Sequence, residues 1–190
     1  MRHPRRLAVT AAIAGGAILA TVVAAYARYQ RSPAYRDGNP LFYREGRATG
    51  PGRLFGRFWT ILADRSLTPS FIVTLETVGW RTGRHSAIPV VLADLEGERY
   101  IVSMLGERPP WVRNVRAADG RVVIRHGRAR DVRLLEVPVA DRAPILKAYL
   151  GRATGARPHI HVDPEAPLED FARVAPDYPV FRIEEVGGAS

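Results

Sequence analysis

Between Phe71 and Met104 the apolar residues fall into three short runs: Phe71-Ile72-Val73-Thr74-Leu75, Ile88-Pro89-Val90-Val91-Leu92 and Tyr100-Ile101-Val102-Ser103-Met104. Runs of this length, rich in β-branched and aromatic residues and bounded by turn formers, predict strands. Gly79-Trp80-Arg81-Thr82-Gly83-Arg84 separates the first two, and glycines near both ends of the turn make the pair a hairpin. Glu96-Gly97 turns the second strand into the third. Further on, Val122-Val123-Ile124 and Asp131-Val132-Arg133-Leu134-Leu135 pair across His126-Gly127, and Val180-Phe181-Arg182-Ile183 supplies a last strand. Helical spacing appears in three places. Leu54, Phe55, Phe58, Trp59 and Leu62 define a helix from Gly52 to Arg65, entered after Pro51, whose aromatic face is expected to pack on the domain. Pro109-Pro110 opens a short helix through Trp111, Val112 and Val115. Ala140 to Leu150 forms the third and stops at Gly151. Antiparallel strands on short turns, with one helix inserted and helices at the end, predict an α+β chain, mainly β, built as a small barrel.

Ahead of this body, residues 7–27 carry no charge, and Arg2, Arg5 and Arg6 precede them. That is about the ~20 residues a bilayer crossing requires, so residues 1–27 are expected to be an N-terminal transmembrane helix. A cleaved secretory peptide is the rival reading, because Ala25-Tyr26-Ala27 has the small-x-small form of a cleavage site. Basic residues flank both ends, so the positive-inside rule does not fix an orientation. Residues 28–50, with Ser32-Pro33, Asp37-Gly38 and Asn39-Pro40, read as a linker. Residues 51–186 read as the domain and 187–190 as a tail.

An apolar fraction of 46% is enough for a packed core. A net charge of +9 calls for an acidic partner: a phosphorylated or polycarboxylate ligand, an anionic bilayer or nucleic acid. Lys147 is the only lysine, and arginine favours bidentate contacts to phosphate and carboxylate. A GC-rich genome gives the same skew without selection. The absence of cysteine excludes disulfides, iron–sulfur clusters and thiolate catalysis. A nucleic-acid reader should cluster aromatics with basic residues on a sheet face, whereas Phe55, Phe58 and Trp59 follow helix-packing spacing. His159-Ile160-His161-Val162-Asp163 alternates like a strand and could present three metal ligands on one face. No fourth ligand accompanies them, and a solvated loop is the expectation, with no metal.

A hairpin tip carrying Arg81 and Arg84 among backbone N–H groups can hold an anion. Trp111 and Asn114, three residues apart, share one helix face. The order strand, basic turn, strand, strand, Trp-x-x-Asn resembles the deazaflavin-dependent oxidoreductases, the nitroreductase/quinone reductase family that uses coenzyme F420. The resemblance covers about residues 52–186 and is specific in 79–91 and 103–114. It implies a split β-barrel of the FMN-binding split-barrel type with flanking helices.

In that family the turn is Gly-Arg-Arg/Lys-Ser-Gly. Arg81, Thr82 and Gly83 match it in order and, with Arg84, would hold the coenzyme's phosphate and oligoglutamate tail. Trp80 stands where the family usually has its first arginine. The resemblance also implies that backbone at Pro89, Val90 and Val91 lies along the deazaflavin ring. Ser103 would be the catalytic hydroxyl near the reactive ring, and Met104 occupies a coenzyme-binding position that is often basic in relatives. Trp111 and Asn114 would shape the ring pocket. The implied reaction is hydride transfer from reduced deazaflavin to a quinone, nitroaromatic or activated alkene. With the N-terminal segment, this places a single-pass protein in the cell membrane, its catalytic domain in the cytoplasm beside a membrane-soluble quinone. Two alternatives stay open at this point: an FMN-binding split-barrel protein, and a non-catalytic membrane-tethered basic module.

Overall fold

Six strands close into an antiparallel barrel in a computed structural model that describes residues 24–25, 28–29, 31–36, 39–45 and 47–186. They are β3 (Ile72–Val78), β4 (His85–Leu95), β5 (Glu98–Val102), β6 (Arg121–His126), β7 (Arg128–Glu136) and β8 (Val180–Glu185). Around the barrel the order is β3-β4-β5-β8-β7-β6, so the last strand lies between β5 and β7. Closure comes from β3 against β6, with Leu75 opposite Ile124. A two-residue hairpin, β1 (Tyr43–Arg44) with β2 (Arg47–Ala48), precedes the barrel. The helices are α1 (Gly50–Asp64), α2 (Pro110–Ala117), α3 (Arg142–Arg152) and α4 (Leu168–Val174). This is the expected split barrel with flanking helices.

Strand alternation divides the apolar residues between two cores. Val73 and Leu75 of β3, Leu92 of β4, Ile101 of β5, Ile124 of β6, Leu134 of β7 and Phe181 of β8 fill the interior, where Trp111, Val112 and Val115 of α2 join them. Outside the barrel, Ala93 and Val102 pack under Leu146, Leu150 and Phe171 of α3 and α4. Val90 and Leu92 thus face one core, and Val91 and Ala93 the other. A strand covered on both faces reads as a continuous apolar run, which explains Ile88 to Ala93. Each fully buried Leu, Ile or Phe contributes about 1.5–3 kcal/mol.

Helix α1 begins where the Thr49 hydroxyl accepts the Gly52 N–H at 3.2 Å. Glycine is required at 52, because a Cβ there would sit 2.1 Å from the Phe42 carbonyl oxygen. Only part of the helix's apolar surface is covered. Ala63 is fully buried and Phe55 meets Phe42 edge-on at 5.0 Å. Leu54, Phe58 and Ile61, by contrast, are 72%, 42% and 50% exposed. The expectation that the aromatic face packs on the domain is corrected at Phe58, which lies with Leu54 along the outward edge of the stripe.

The chain divides into two compact units, Met1–Pro40 and Leu41–Ser190. In the first, Pro33–Arg36 forms one helical turn, and the Tyr29 hydroxyl donates to Asn39 Oδ1 at 2.8 Å. The transmembrane helix expected over residues 1–27 is corrected. Among the described residues no helix is long and apolar enough to cross a membrane. The longest, α1, has 15 residues, spans only about 22 Å at helical rise, and carries Arg53, Arg57 and Asp64. All of residues 1–27 except 24 and 25 lie outside the described residues.

Candidate functional site

The pairing of β3 with β4 ends at Val78 opposite His85, leaving six residues, Gly79 to Arg84, for the turn. Its backbone folds on itself. Gly79 N–H donates to the Arg84 carbonyl at 2.8 Å, and Gly83 N–H to the Gly79 carbonyl at 2.8 Å. The two glycines serve different needs. A Cβ at Gly79 would lie 2.7 Å from Thr82 Oγ1, while Gly83 has φ +64°, a left-handed conformation that L side chains resist. Trp80, Arg81, Thr82 and Arg84 are exposed at the tip, and the Arg81 guanidinium lies 4.4 Å over the Trp80 ring. Among the described residues neither Arg81 nor Arg84 forms an ion pair.

Helix α2 braces this turn. Asn114, 6% exposed, accepts the Trp80 N–H on Oδ1 at 3.2 Å and donates from Nδ2 to Thr77 Oγ1 at 3.2 Å. Trp111 is buried, with its ring 5.5 Å from that of Phe181 in the barrel core. The two residues leave α2 toward the barrel, as their spacing indicates, but Trp111 is a core side chain and Asn114 a turn brace.

Ser103 is 2% exposed; its hydroxyl donates to the Gly106 carbonyl at 2.6 Å and its N–H to the Pro179 carbonyl at 2.9 Å. This seals the end of β5 and fixes the loop that follows. Met104 is half-buried against the outer core. The same loop is clamped through Arg116, which donates to Glu107 at 2.6 and 2.8 Å and to Glu136 at 2.7 Å. Its bonds to Glu136 and Glu107 push the Arg116 pKa further up, and the bond from Arg116 holds Glu107 below the usual carboxylate range.

β4 meets β5 only from Leu92 to Leu95, so His85 to Val91 have no strand on that side. Pro89, which has no N–H to give a ladder, stands on this open edge opposite Thr74 of β3. Gly56 of α1 covers it, a Cβ there being 3.7 Å from Pro89 Cδ. Val90 packs toward the barrel interior and Val91 toward the outer core. The structure therefore brings together Arg81, Thr82, Gly83, Arg84 and Asn114, with the β4 edge leading away from them. Ser103, Met104 and Trp111 support neighbouring walls from within. Thr77 is a member of the site that sequence reasoning missed; its sole signal is a hydroxyl residue at the end of a strand, just before the turn.

Residues 159–163, expected as a loop, run as turn and bend after a short 3-10 helix at Thr154–Ala156. His159 meets Tyr43 edge-on at 5.1 Å, and its buried Nε2 has no hydrogen-bond partner among the described residues. Burial, with a smaller effect of His161, lowers its pKa to about 4.

Among the described residues the turn offers two guanidiniums without carboxylate partners, beside a stretch of β4 that pairs with a strand on one side only. That donor set fits a ligand with an acidic end and a flat ring, as a phosphorylated deazaflavin has. A search of the curated proteins finds no match to the chain. Among solved structures it is similar to one described as an F420-H2 dependent reductase (FDR-A), at 22% identity, covering 60% of this chain and 95% of that one, TM-score 0.37. A domain-swapped dimer matches at 19% identity, covering 62% and 82%, TM-score 0.42. The protein Atu2129 of unknown function from Agrobacterium tumefaciens str. C58 matches at 14% identity, covering 78% of this chain and 59% of its own, TM-score 0.47. Residues 63–156 match the family described as F420H(2)-dependent quinone reductase. That stretch holds the basic turn, the β4 segment that follows it and helix α2, and the match supports an oxidoreductase that uses the deazaflavin F420.

Proposed function

We propose that the protein reduces a quinone-like acceptor, or a nitroaromatic or activated alkene, with a hydride from reduced F420. The observation that carries the assignment is the pair Arg81 and Arg84: exposed, without carboxylate partners among the described residues, on a glycine-shaped turn at the start of a β4 segment that pairs with a strand on one side only. When bound and reduced, the coenzyme supplies a hydride from the ring carbon that corresponds to flavin N5. The chain's own residues bind, orient and exclude water. Arg81 and Arg84 would hold the phosphate and acidic tail by charge-assisted bonds, with the Thr82 hydroxyl beside them. Backbone at Pro89, Val90 and Val91 would hold the ring. Trp111, packed on Phe181, keeps the barrel floor rigid beneath α2.

Ser103 takes a supporting role here, because its hydroxyl is committed to Gly106 and fixes the loop of Glu107. The proton that completes reduction of the acceptor then comes from solvent. The test is oxidation of reduced F420 by the full chain with a soluble menaquinone analogue, a nitroaromatic and a cyclic enone in parallel, with FMN as the competing coenzyme. Turnover with at least one acceptor, fastest with the quinone, is expected. Tight F420 binding without turnover on any of the three would overturn the acceptor assignment. Preference for FMN would overturn the assignment of the turn.

A further inference from the structure

We infer that Asn114 is a positioning residue: it sets the Gly79–Arg84 turn so that Arg81 meets the coenzyme's phosphate, without touching the coenzyme itself. The inference rests on the reading that this turn binds the phosphate. Both ends of the Asn114 amide are engaged, Oδ1 by Trp80 N–H and Nδ2 by Thr77 Oγ1, each at 3.2 Å. Asn114 and Thr77 are 6% and 4% exposed, so the bracket lies beneath the surface a ligand would touch. A buried amide with both ends bonded fixes geometry, because leaving either end unpaired is costly.

The brace reaches Arg81 through one intermediate. Trp80 is held by its backbone N–H, and its ring, 52% exposed, carries the Arg81 guanidinium 4.4 Å above it. Among the described hydrogen bonds, the one to Asn114 ties the exposed residues 80–83 to the body of the domain; their others stay within the turn. Six residues that would otherwise sample many conformations are ordered before any ligand arrives, and pre-organisation of this kind raises affinity by lowering the ordering cost. Trp80 occupies the place of an arginine in the family pattern. Its stacking face compensates by directing the arginine that remains.

The experiment compares binding of F420 and of the dephosphorylated, tailless deazaflavin to the full chain, by fluorescence titration, in a double-mutant cycle of Asn114→Ala and Arg81→Ala. Arg81→Ala should weaken F420 by about 10–100-fold and the tailless analogue by less than about twofold. Asn114→Ala should weaken F420 by about tenfold, spare the analogue, and cost less than about twofold once Arg81 is gone. Amide hydrogen exchange of the ligand-free protein should show the Trp80 N–H losing protection while barrel amides keep theirs. Thr77→Val, nearly isosteric, should act in the same direction with a smaller effect, and it decides the matter by the same criteria if Asn114→Ala does not fold. Equal weakening of both ligands, additivity with Arg81→Ala, or unchanged exchange at Trp80 would overturn the inference alone. If Arg81→Ala itself fails to distinguish the two ligands, the phosphate reading of the turn falls, and the inference with it.

Discussion

Arginines at the β7–β8 side of the barrel and arginines at the β3–β4 turn live under opposite conditions. On the first, Arg99 and Arg130 share Glu185 at 2.8 and 2.6 Å, and Arg116 is held between Glu107 and Glu136. Arg142, its side chain 7% exposed, bonds Glu136 at 3.0 Å and the carbonyls of Val137, Ala175 and Tyr178. On the second, Arg81 and Arg84 stand in solvent and form no ion pair among the described residues. The net charge of +9 is therefore unevenly available. Where acids are placed beside arginines, the charge serves the fold; where they are withheld, it can serve a ligand. Composition cannot make that distinction, because it depends on which strands bring acids alongside.

The strongest way to test the structural half of this contrast is Arg142→Ala. Removing a buried guanidinium leaves Glu136 and three carbonyls short of a donor, and the expected loss is about 3–5 kcal/mol in a urea unfolding curve. Coenzyme affinity of the folded fraction should not change. An acid titration separates stability from charge in another way. His159 stays neutral in the folded protein down to about 4, against 6.5 when unfolded. Its depressed pKa means the unfolded chain binds the proton first, so this stability is complete above about pH 6.5 and falls as pH drops toward 4. The loss is at most about 3 kcal/mol. His159→Phe, which keeps a ring against Tyr43, should flatten that limb; an unchanged acid profile would remove His159 as its cause.

Next come the turn arginines. Arg81→Ala and Arg84→Ala should each cost about 1.5–3 kcal/mol in F420 affinity, with a stability change within about 0.5 kcal/mol. Raising the salt concentration should weaken F420 more than the tailless analogue. The smallest effect belongs to Arg130→Ala, an exposed pair worth about 0–1 kcal/mol of stability and nothing in binding. If Arg130→Ala weakened the coenzyme as much as Arg81→Ala does, the contrast between the two regions would collapse.

Much of this was legible in sequence, and what was not has identifiable causes. The six barrel strands, the glycine-bounded turn and the spacing of Trp111 and Asn114 all follow from local periodicity and turn chemistry. The destination of Asn114 does not, because its partners Trp80 and Thr77 are brought near by the barrel and not by chain proximity. Ser103 illustrates the same limit: a serine at a strand end can face a ligand or its own loop, and here Gly106 turns back to accept its hydroxyl. In α1, periodicity marked an apolar stripe wider than the surface available to cover it, so Leu54, Phe58 and Ile61 remain outside. Helix α4 was foreseen only as helix somewhere near the end. With seven residues, it is too short for a clear repeat.

The place of β8 has a consequence for how the chain reaches its fold. This strand joins Tyr100 to Arg182 on one side and Leu134 to Ile183 on the other, so it is the final stave between partners made long before it. Until it arrives, β5 and β7 both present bare edges, the form of strand most prone to pair with a neighbouring chain. A ribosome releasing this protein therefore holds an open sheet until its last strand emerges, and closure must wait for a long-range pairing, a slow class of folding event. Shortening the chain before Val180 would remove more than a terminal segment. It would convert a ring into a ribbon with two unpaired margins.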